Sequence, residues 1–292
     1  MSNHLRIEAF FDTNTSTFSY LLLDELSKEA TIIDSVLDYD PKSGRTNASS
    51  ADKLLARLAE LGATLRWILE THVHADHLSA APYLMQSAGG QSVIGAQIVQ
   101  VQKVFAKLFN LNDEFKRDGS QFNRLIHDGD ELEFGPFKIR AMHTPGHTPA
   151  CMTYLIDDGI ELHAFVGDTL FMPDYGTARC DFPGGSAEDL YHSIQKVLAL
   201  PENTRLYMCH DYPPASRSAE YLTLVKDQKL KNIHVHNGIA CHEFVAMREK
   251  RDATLSMPIL LLPAVQVNMR AGHFPPVEDN GISYLKLPIN GI

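Results

Sequence analysis

Thr71-His72-Val73-His74-Ala75-Asp76-His77 is the stretch of sequence that decides how this chain folds. It places three imidazoles and one carboxylate within six residues, directly after the apolar run 65–69. An apolar run that ends in a cluster of such side chains is typical of a buried strand whose C-terminal loop holds a metal ion. Imidazole nitrogen and carboxylate oxygen are donors that zinc, iron and manganese accept. The stretch therefore predicts a metal-binding loop at the edge of a packed sheet.

Later apolar runs also end in side chains that can bind a metal ion. His147 lies just beyond the strand predicted over 137–142, and Asp168 and His210 end two further predicted strands. Because each of these side chains follows the C-terminal end of a strand, all of them can converge on one edge of a sheet. Taken with the first cluster, they predict one shared metal site.

In chain order, the motifs HxHxDH, TPGHT, GD and HD resemble the ligand series of the metallo-β-lactamase superfamily, over residues 7–212. Asp34, which ends the strand predicted over 31–33, matches the early structural aspartate of that superfamily. A narrower resemblance lies in Gly176-Thr177-Ala178-Arg179-Cys180-Asp181-Phe182. Its GxxRxDF pattern is similar to that of the persulfide dioxygenases, a branch close to glyoxalase II. The segment 267–272 also resembles this branch, with Ala271 where the branch often has cysteine.

The resemblance implies an α/β fold, the αββα sandwich in which two mixed β-sheets pack face to face with helices outside. We expect the catalytic domain of this fold to span 1–212. After Tyr212 the composition changes, because prolines punctuate the chain and the polar stretch 226–232 is typical of a surface connection. We expect 213–292 to be a short, proline-rich and mostly non-helical C-terminal extension packed on the same domain.

Apolar periodicity and capping residues predict helices between the strands. The predicted helices run from a cap at Ser49 or Ser50 to Leu61 with Gly62 after it, over 78–88, over 98–109, from a cap at Ser186 to about Leu200, and over 243–252.

Composition limits the classes of partner. The net charge of −10 argues against a nucleic-acid surface, and an anionic substrate needs a local basic patch. The longest apolar run, 259–262, is too short to cross a bilayer, and the N-terminus lacks an apolar signal segment. The four cysteines form no CxxC motif, and we expect Cys180 and Cys209, near the site, to be buried without chemistry. We expect a cytoplasmic protein in a reducing compartment, with a homodimer as its candidate assembly.

The candidate ligands can hold metal in two ways. They are His72, His74, Asp76, His77, His147, Asp168 and His210. Two ions, zinc or mixed zinc and iron, can share the set with Asp168 as a bridge, as in glyoxalase II, and activate a hydroxide. One Fe(II) per chain can instead take two imidazoles and one carboxylate, a facial triad with three open positions.

Resemblance to the dioxygenases assigns that iron to His72, His147 and Asp168. The remaining candidates then become hydrogen-bonding groups around the iron site; they are His74, Asp76, His77 and His210. The set of ligands alone is compatible with either arrangement.

The segment around Arg179 favours the dioxygenase. A guanidinium pairs well with a carboxylate of a glutathione-like ligand, and the alternative is a structural ion pair with Asp181. Tyr212 can donate a hydrogen bond to the substrate. Tyr175 and Arg217 are weaker substrate-contact candidates, chosen because they are near the site loops in sequence.

Two departures leave the persulfide carrier open between glutathione and another small thiol. The family's glutathione pocket often has a basic residue after Asn-Pro, where this chain has Asn232-Ile233-His234, and Ala271 replaces cysteine. The sequence predicts a mononuclear Fe(II) persulfide dioxygenase that converts glutathione persulfide, O₂ and water to sulfite and glutathione. A binuclear hydrolase of the glyoxalase II type, acting on a glutathione thioester, is the alternative. A non-catalytic metal-binding or sensing module is the third hypothesis.

Overall fold

A computed structural model describes residues 4–291 of the chain. The strands within this range are β1 (Leu5–Asp12), β2 (Thr17–Asp24), β3 (Glu29–Ile33), β4 (Val36–Asp40), β5 (Arg45–Asn47), β6 (Thr64–Leu69), β7 (Leu78–Ser79), β8 (Gln91–Gly95), β9 (Arg124–Ile126), β10 (Glu131–Phe134), β11 (Phe137–His143), β12 (Met152–Asp157), β13 (Leu162–Phe165), β14 (Arg205–Tyr207) and β15 (Leu222–Leu224). The helices are α1 (Ser49–Leu61), α2 (Ala81–Ala88), α3 (Ile98–Leu108), α4 (Ala187–Leu198), α5 (Val225–Lys231), α6 (Cys241–Asp252) and α7 (Leu261–Asn268), with a 3₁₀ turn at Gly167–Thr169.

Two six-stranded sheets form the centre of the molecule. The first has the order β1-β2-β3-β6-β8-β9 and is antiparallel as far as β3 and parallel from β3 onward. The second runs from β10 to β15 in chain order, with β13 and β14 parallel and its other pairs antiparallel. This arrangement of two packed mixed sheets confirms the predicted sandwich.

The core between the sheets is apolar and rich in aromatic rings. Tyr20 and Leu69 of the first sheet belong to one buried cluster with Phe134, Tyr154 and Phe165 of the second. The rings of Tyr20 and Phe165 lie edge to face, with centroids 5.1 Å apart. Each such ring stabilises the fold by roughly 1.5–3 kcal/mol through burial, so the two sheets are held firmly together.

Helices cover the outer face of each sheet. On the first sheet, Leu54 and Leu58 of α1 pack with Leu21 and Ile32. On the second sheet, the buried cluster contains side chains of α4, α5 and α6 together with those of the strands, among them Leu190, Val225 and Phe244 with Leu155 and Leu206. These two outer layers complete the αββα order.

The helix predictions were confirmed where a local signal marks the helix end. Helix α1 ends at Leu61, and Gly62 adopts the left-handed φ of 62° that a glycine tolerates without strain. Ser186 caps α4, since its side chain accepts a hydrogen bond of 3.1 Å from the Asp189 N–H. The helix predicted over 78–88 begins too early. Leu78–Ser79 pairs with β4, and α2 begins at Ala81 with proline in its first turn, where the missing N–H costs nothing.

The chain beyond Tyr212 is more regular than the sequence suggested. The stretch predicted as a surface connection forms α5, which buries Val225 and Gln228. Helix α7 was not predicted, because Pro263 was taken as a break in regular structure. The proline lies in the first turn of α7, where the missing N–H costs no hydrogen bond. Strand β15 comes from this part of the chain and pairs with β14. None of the helices within 4–291 is long and apolar enough to span a membrane.

Candidate metal centre

Asp34 holds the predicted metal-binding loop, residues 71–77, in place. It lies just past β3 with a left-handed φ of 53° and is buried. Its carboxylate accepts hydrogen bonds from the Thr71 N–H at 2.7 Å and the Thr71 hydroxyl at 2.8 Å. The same carboxylate lies 3.0 Å from Nε2 of His74. A single buried aspartate therefore fixes the start of the loop and one of its imidazoles.

Asn268 braces the loop from the other side. Its side-chain amide donates hydrogen bonds to the carbonyls of His74 at 2.9 Å and His77 at 2.8 Å. Its carbonyl oxygen accepts a hydrogen bond from the Ser79 N–H at 2.8 Å. All three contacts are buried, so α7 determines the path of the loop. The segment 267–272 therefore supports the loop through Asn268, although it contains no metal donor.

His72, His147 and Asp168 come together as one donor group. Asp168 Oδ2 lies 3.8 Å from Nε2 of His72 and 3.6 Å from Nε2 of His147. The donor atoms of the three side chains lie within 4.8 Å of one another, and all three side chains are buried. The imidazole rings stand nearly perpendicular, at 88°, so their nitrogens approach a common point from different directions.

Hydrogen bonds set the tautomers of both imidazoles. The Nδ1–H of His147 donates to the main-chain carbonyl of Arg179 at 2.8 Å. The Thr71 hydroxyl donates its hydrogen bond to Asp34. The Thr71 oxygen therefore accepts a hydrogen bond from the Nδ1–H of His72 at 3.0 Å. In both rings the lone pair is therefore on Nε2, the nitrogen that faces Asp168. Fixing the outward nitrogen in this way is how proteins orient histidine ligands.

A second donor group lies next to the first. The donor atoms of His74, Asp76 and His77 also lie within 4.8 Å of one another. His210 lies between the groups, because its Nδ1 is 3.4 Å from Asp76 Oδ2 and its Nε2 is 3.4 Å from Asp168 Oδ1. Asp168 thus presents one oxygen to each side.

Several buried donor atoms of the centre make no hydrogen bond within the described residues. They are His74 Nδ1, His77 Nε2 and Asp168 Oδ1. Leaving a buried polar atom without a partner costs roughly 1–3 kcal/mol. Nitrogen and carboxylate oxygen in this condition are ready ligands, so the residues present fit one or two metal ions.

Among the histidines of the centre, His74 is the one whose surroundings favour a positive charge. Burial opposes protonation of His74, yet the carboxylates of Asp34 and Glu70 outweigh burial and raise the pKa of His74 well above its usual value. Burial and the positive charge of His74 lower the pKa of His72 well below its usual value and that of His77 to about 4. His72 and His77 are therefore neutral near pH 7, the form that binds metal.

A cavity of about 710 Å³ opens over the donor groups. Asp76, His147 and Asp168 form its floor, and Tyr175 and Tyr212 form one wall, with ring centroids 4.8 Å apart. The side chain of Phe171 and the loop 255–260 complete the rim. Tyr175 and Tyr212, both predicted as substrate contacts, therefore line the space above the centre.

The two arginines predicted as substrate contacts have different positions. Arg179 lines the cavity, but its guanidinium makes two hydrogen bonds of 2.6 Å to Asp181. Arg217 lies outside the lining of this cavity and is bound between Asp211 and Asp174. Both guanidinium groups are thus paired with carboxylates of the chain itself.

Sequence reasoning missed two arginines of α6 that face the cavity. Arg248 is buried and bound to Asp252 at 2.6 and 2.9 Å. Arg251 lines the cavity, has an exposed side chain and has no carboxylate partner within 4–291. The available signal was their spacing of three residues on a predicted helix, which places both side chains on one face.

His234, which occupies the position of the family's basic residue, is turned away from the cavity. Its Nδ1 accepts hydrogen bonds from the Thr177 N–H and hydroxyl, both at 3.1 Å. Burial and the charges of Arg248 and Arg251 lower its pKa to about 4. His234 is therefore a neutral support for the cavity loop at Thr177.

The two cysteines near the centre are buried thiols. Cys209 Sγ lies 3.5 Å from His210 Nε2, and burial raises its pKa well above the usual value. Burial also raises the pKa of Cys180. Both thiols stay protonated near pH 7, as expected for small core side chains.

Comparison with known proteins places this geometry in context. A family profile described as the metallo-beta-lactamase superfamily matches residues 12–210. The chain is 61% identical to a probable metallo-hydrolase of Burkholderia pseudomallei, covering 99% of this chain and 100% of that protein. It is 48% identical to glyoxylase B2 of Dictyostelium discoideum, covering 99% of both.

Relatives with another activity in their names are more distant. The chain is 32% identical to the mitochondrial persulfide dioxygenase ETHE1 of Bos taurus, covering 91% of this chain and 88% of that protein. The crystal structure of ETHE1 from Myxococcus xanthus superposes with a TM-score of 0.73 at 30% identity. That alignment covers 92% of this chain and 100% of the crystallised one.

Proposed function

The chain belongs to the metallo-β-lactamase superfamily, and on this basis we propose that it is a persulfide dioxygenase with one Fe(II) per chain. Its reaction converts glutathione persulfide, O₂ and water to sulfite and glutathione. The observation that carries the proposal is the group of His72, His147 and Asp168, two imidazoles and one carboxylate with their donor atoms within 4.8 Å. The similarity to persulfide dioxygenases over 91% of the chain supports the same activity.

The donor set suits iron of the kind that reacts with O₂. Bound there, Fe(II) supplies the electron-transfer chemistry that O₂ needs to react with a sulfur compound. The chain's own part is to orient the two imidazoles. The Arg179 carbonyl and the Thr71 hydroxyl do this by accepting hydrogen bonds from the Nδ1–H groups of His147 and His72.

The cavity suits a substrate that reacts beside apolar walls and carries an anionic group at its other end. Phe171 and Phe182 line it beside the donor groups, where apolar walls keep water away from the reacting atoms. Glutathione persulfide carries carboxylates, and the chain has a net charge of −10, so a local cation is needed. Arg251 supplies that cation, because the other two arginines lining the cavity, Arg179 and Arg248, are already paired.

A binuclear hydrolase of a glutathione thioester is the second candidate function. The observation that favours it is the position of Asp168, with Oδ2 near His72 and His147 and Oδ1 3.4 Å from His210. A carboxylate between two donor groups is suited to bridge two metal ions. The names of the more similar relatives, metallo-hydrolase and glyoxylase, point in the same direction.

Metal content and product analysis on one preparation test both candidates. Protein purified without oxygen should contain about one iron per chain and little zinc. It should consume O₂ with glutathione persulfide and form sulfite in equal amounts. Two metal ions per chain, mostly zinc, with hydrolysis of a glutathione thioester and no O₂ uptake, would contradict the dioxygenase and favour the hydrolase.

A further inference from the structure

Another group of metal-binding side chains lies outside the cavity, where α4 meets α6. Glu188 and His192 are one turn apart on α4, and Cys241 is the first residue of α6. The ligand atoms of the three side chains lie within 4.8 Å of one another. Glu188 Oε1 is 4.0 Å from His192 Nε2, longer than a hydrogen bond. The three side chains therefore share a small volume without being bound to one another.

The chemistry of this group suits zinc. Thiolate sulfur, imidazole nitrogen and carboxylate oxygen are the three donor types that Zn²⁺ uses in proteins. The carboxylate and imidazole are well exposed, with 73% and 62% of their side-chain surfaces accessible, so an ion can enter without opening the fold. Three protein ligands leave one tetrahedral position for water.

The backbone that carries the three donors is held rigidly by its surroundings. The hydroxyl of Tyr191 donates a hydrogen bond of 3.0 Å to the carbonyl of Ile239, which ties α4 to the chain entering α6. The rings of Tyr191 and Phe244 have centroids 5.7 Å apart, and Phe244 is fully buried in the same cluster as Leu190 and Ile194. Binding therefore orders only side chains, which keeps its entropic cost low.

Both helices also contact the proposed catalytic centre. At the start of α4, the Ser186 N–H donates a hydrogen bond to the Gly146 carbonyl at 2.8 Å. In the middle of α4, Ser193 Oγ donates to the Pro145 carbonyl at 2.6 Å. These two carbonyls belong to the loop of His147. At the far end of α6, Arg251 lines the cavity. An ion that joined α4 to α6 would therefore link the helix that supports the loop of His147 to the helix that carries Arg251.

We propose that Glu188, His192 and Cys241 form a zinc site on the surface, separate from the catalytic centre, which clamps α4 to α6. The ion displaces the thiol proton of Cys241 as it binds. The site does not depend on which reaction the catalytic centre performs, so the two proposals can fail independently.

The test uses iron-loaded protein, in which His72, His147 and Asp168 are already occupied, titrated with Zn²⁺ in competition with a coloured chelator. The variants C241S and H192A remove one donor each. H127A is the matched control, because it removes an exposed histidine that also lies beside a carboxylate, Asp130 at 3.4 Å, with no cysteine in that pair. Repeating the titration with Co²⁺ identifies sulfur, since a bound thiolate gives a charge-transfer absorption.

The wild-type protein and H127A should take up zinc beyond the metal of the catalytic centre, show the thiolate band with cobalt and melt at a higher temperature in its presence. C241S should lose the band. Both C241S and H192A should bind zinc more weakly than the wild-type protein. The loss should exceed the roughly 10- to 100-fold that is typical when a residue hydrogen-bonded to a ligand is removed. Equal zinc affinity in wild type and C241S, or no uptake by the wild-type holoprotein, would overturn the proposal. H192A provides a second reading if C241S fails to fold.

Discussion

The main-chain carbonyl of Arg179 accepts a hydrogen bond of 2.8 Å from Nδ1 of His147. Arg179 therefore orients the candidate ligand His147 through its backbone, while its side chain is bound to Asp181. The GxxRxDF segment is thus part of the support of the metal centre, whatever its side chains do with substrate. Substitutions here change the path of the loop as well as its charge.

Replacing Arg251 with alanine should raise KM for glutathione persulfide about tenfold and leave iron content and kcat nearly unchanged. A charge-assisted contact to an anion contributes roughly 1.5 kcal/mol at the lower end of its range, and tenfold is its equivalent. R251K should recover part of the loss. The control is K250A, which removes a neighbouring charge of α6 that lies outside the cavity lining. Steady-state O₂ uptake gives both constants, and equal KM values for R251A and K250A would remove Arg251 from the substrate site.

Replacing Arg179 with alanine should lower the melting temperature, because Asp181 loses both of its hydrogen bonds to the guanidinium. Only 28% of the Asp181 side chain is accessible, so the unpaired carboxylate costs roughly 1–3 kcal/mol. The double variant R179A/D181A should recover part of this stability. A thermal melt of the three proteins measures the effect, and an unchanged melting temperature in R179A together with a raised KM would assign the guanidinium to substrate instead.

Asp168→Ala should abolish iron binding, whereas His77→Ala should retain a substantial part of it. In the one-iron arrangement Asp168 is a ligand, and His77 belongs to the neighbouring donor group. Loss of an outer group typically costs 10- to 100-fold in affinity. Elemental analysis after anaerobic purification distinguishes the variants. The same loss of metal from both would indicate a two-metal centre.

Replacing Asn268 with alanine should weaken metal binding about 10- to 100-fold although Asn268 is not a ligand. The change leaves the carbonyls of His74 and His77 without their buried amide donor. Gln266→Ala is the matched control, since Gln266 is a buried amide of the same helix that bonds to Leu262 and Lys286 instead of the loop. Chelator competition measures both affinities. If Q266A weakens the metal as much as N268A, the effect comes from α7 as a whole.

Acidification should destabilise the fold through His234. Its pKa is about 4 in the folded protein and near 6.5 when unfolded, so the unfolded chain binds the proton first. The stability that neutral His234 provides is present above pH 6.5 and is lost as the pH falls from 6.5 towards 4, by at most about 1.4 kcal/mol per pH unit. Urea unfolding at pH 7 and pH 5 measures this loss. H234Q, which cannot titrate, should lose less stability over that interval, and an equal loss in both proteins would rule out His234 as the cause.

The sequence revealed those parts of the centre that a local sequence pattern can indicate. His72 and Asp168 were recognisable because polar donors follow apolar strands, and the cap at Ser186 and the stop at Gly62 follow from the chemistry of single residues. Arg251 could not be singled out, because its importance rests on the lack of a carboxylate partner among residues 4–291, which is a property of the folded chain. The brace from Asn268 joins residues almost two hundred positions apart, and no local rule links them.

The sequence offered the ion pair of Arg179 with Asp181 as an alternative, but it gave no indication that Arg217 is paired. Arg217 was chosen because it is near a site loop in sequence, whereas Arg179 was chosen for its place in the GxxRxDF segment. Asp181 is two residues from Arg179, whereas Asp174 reaches Arg217 from another loop. Charge pairing in three dimensions therefore decided which cation remained available.

Each half of the chain contributes only part of the donor group His72, His147 and Asp168. His72 follows β6 of the first sheet, and His147 and Asp168 follow β11 and β13 of the second. A nascent chain that has built only its first sheet has no carboxylate of this triad, so the complete trio exists only after the sheets have docked. A metal ion that needs all three donors therefore has its complete site only in a chain whose long-range assembly is finished.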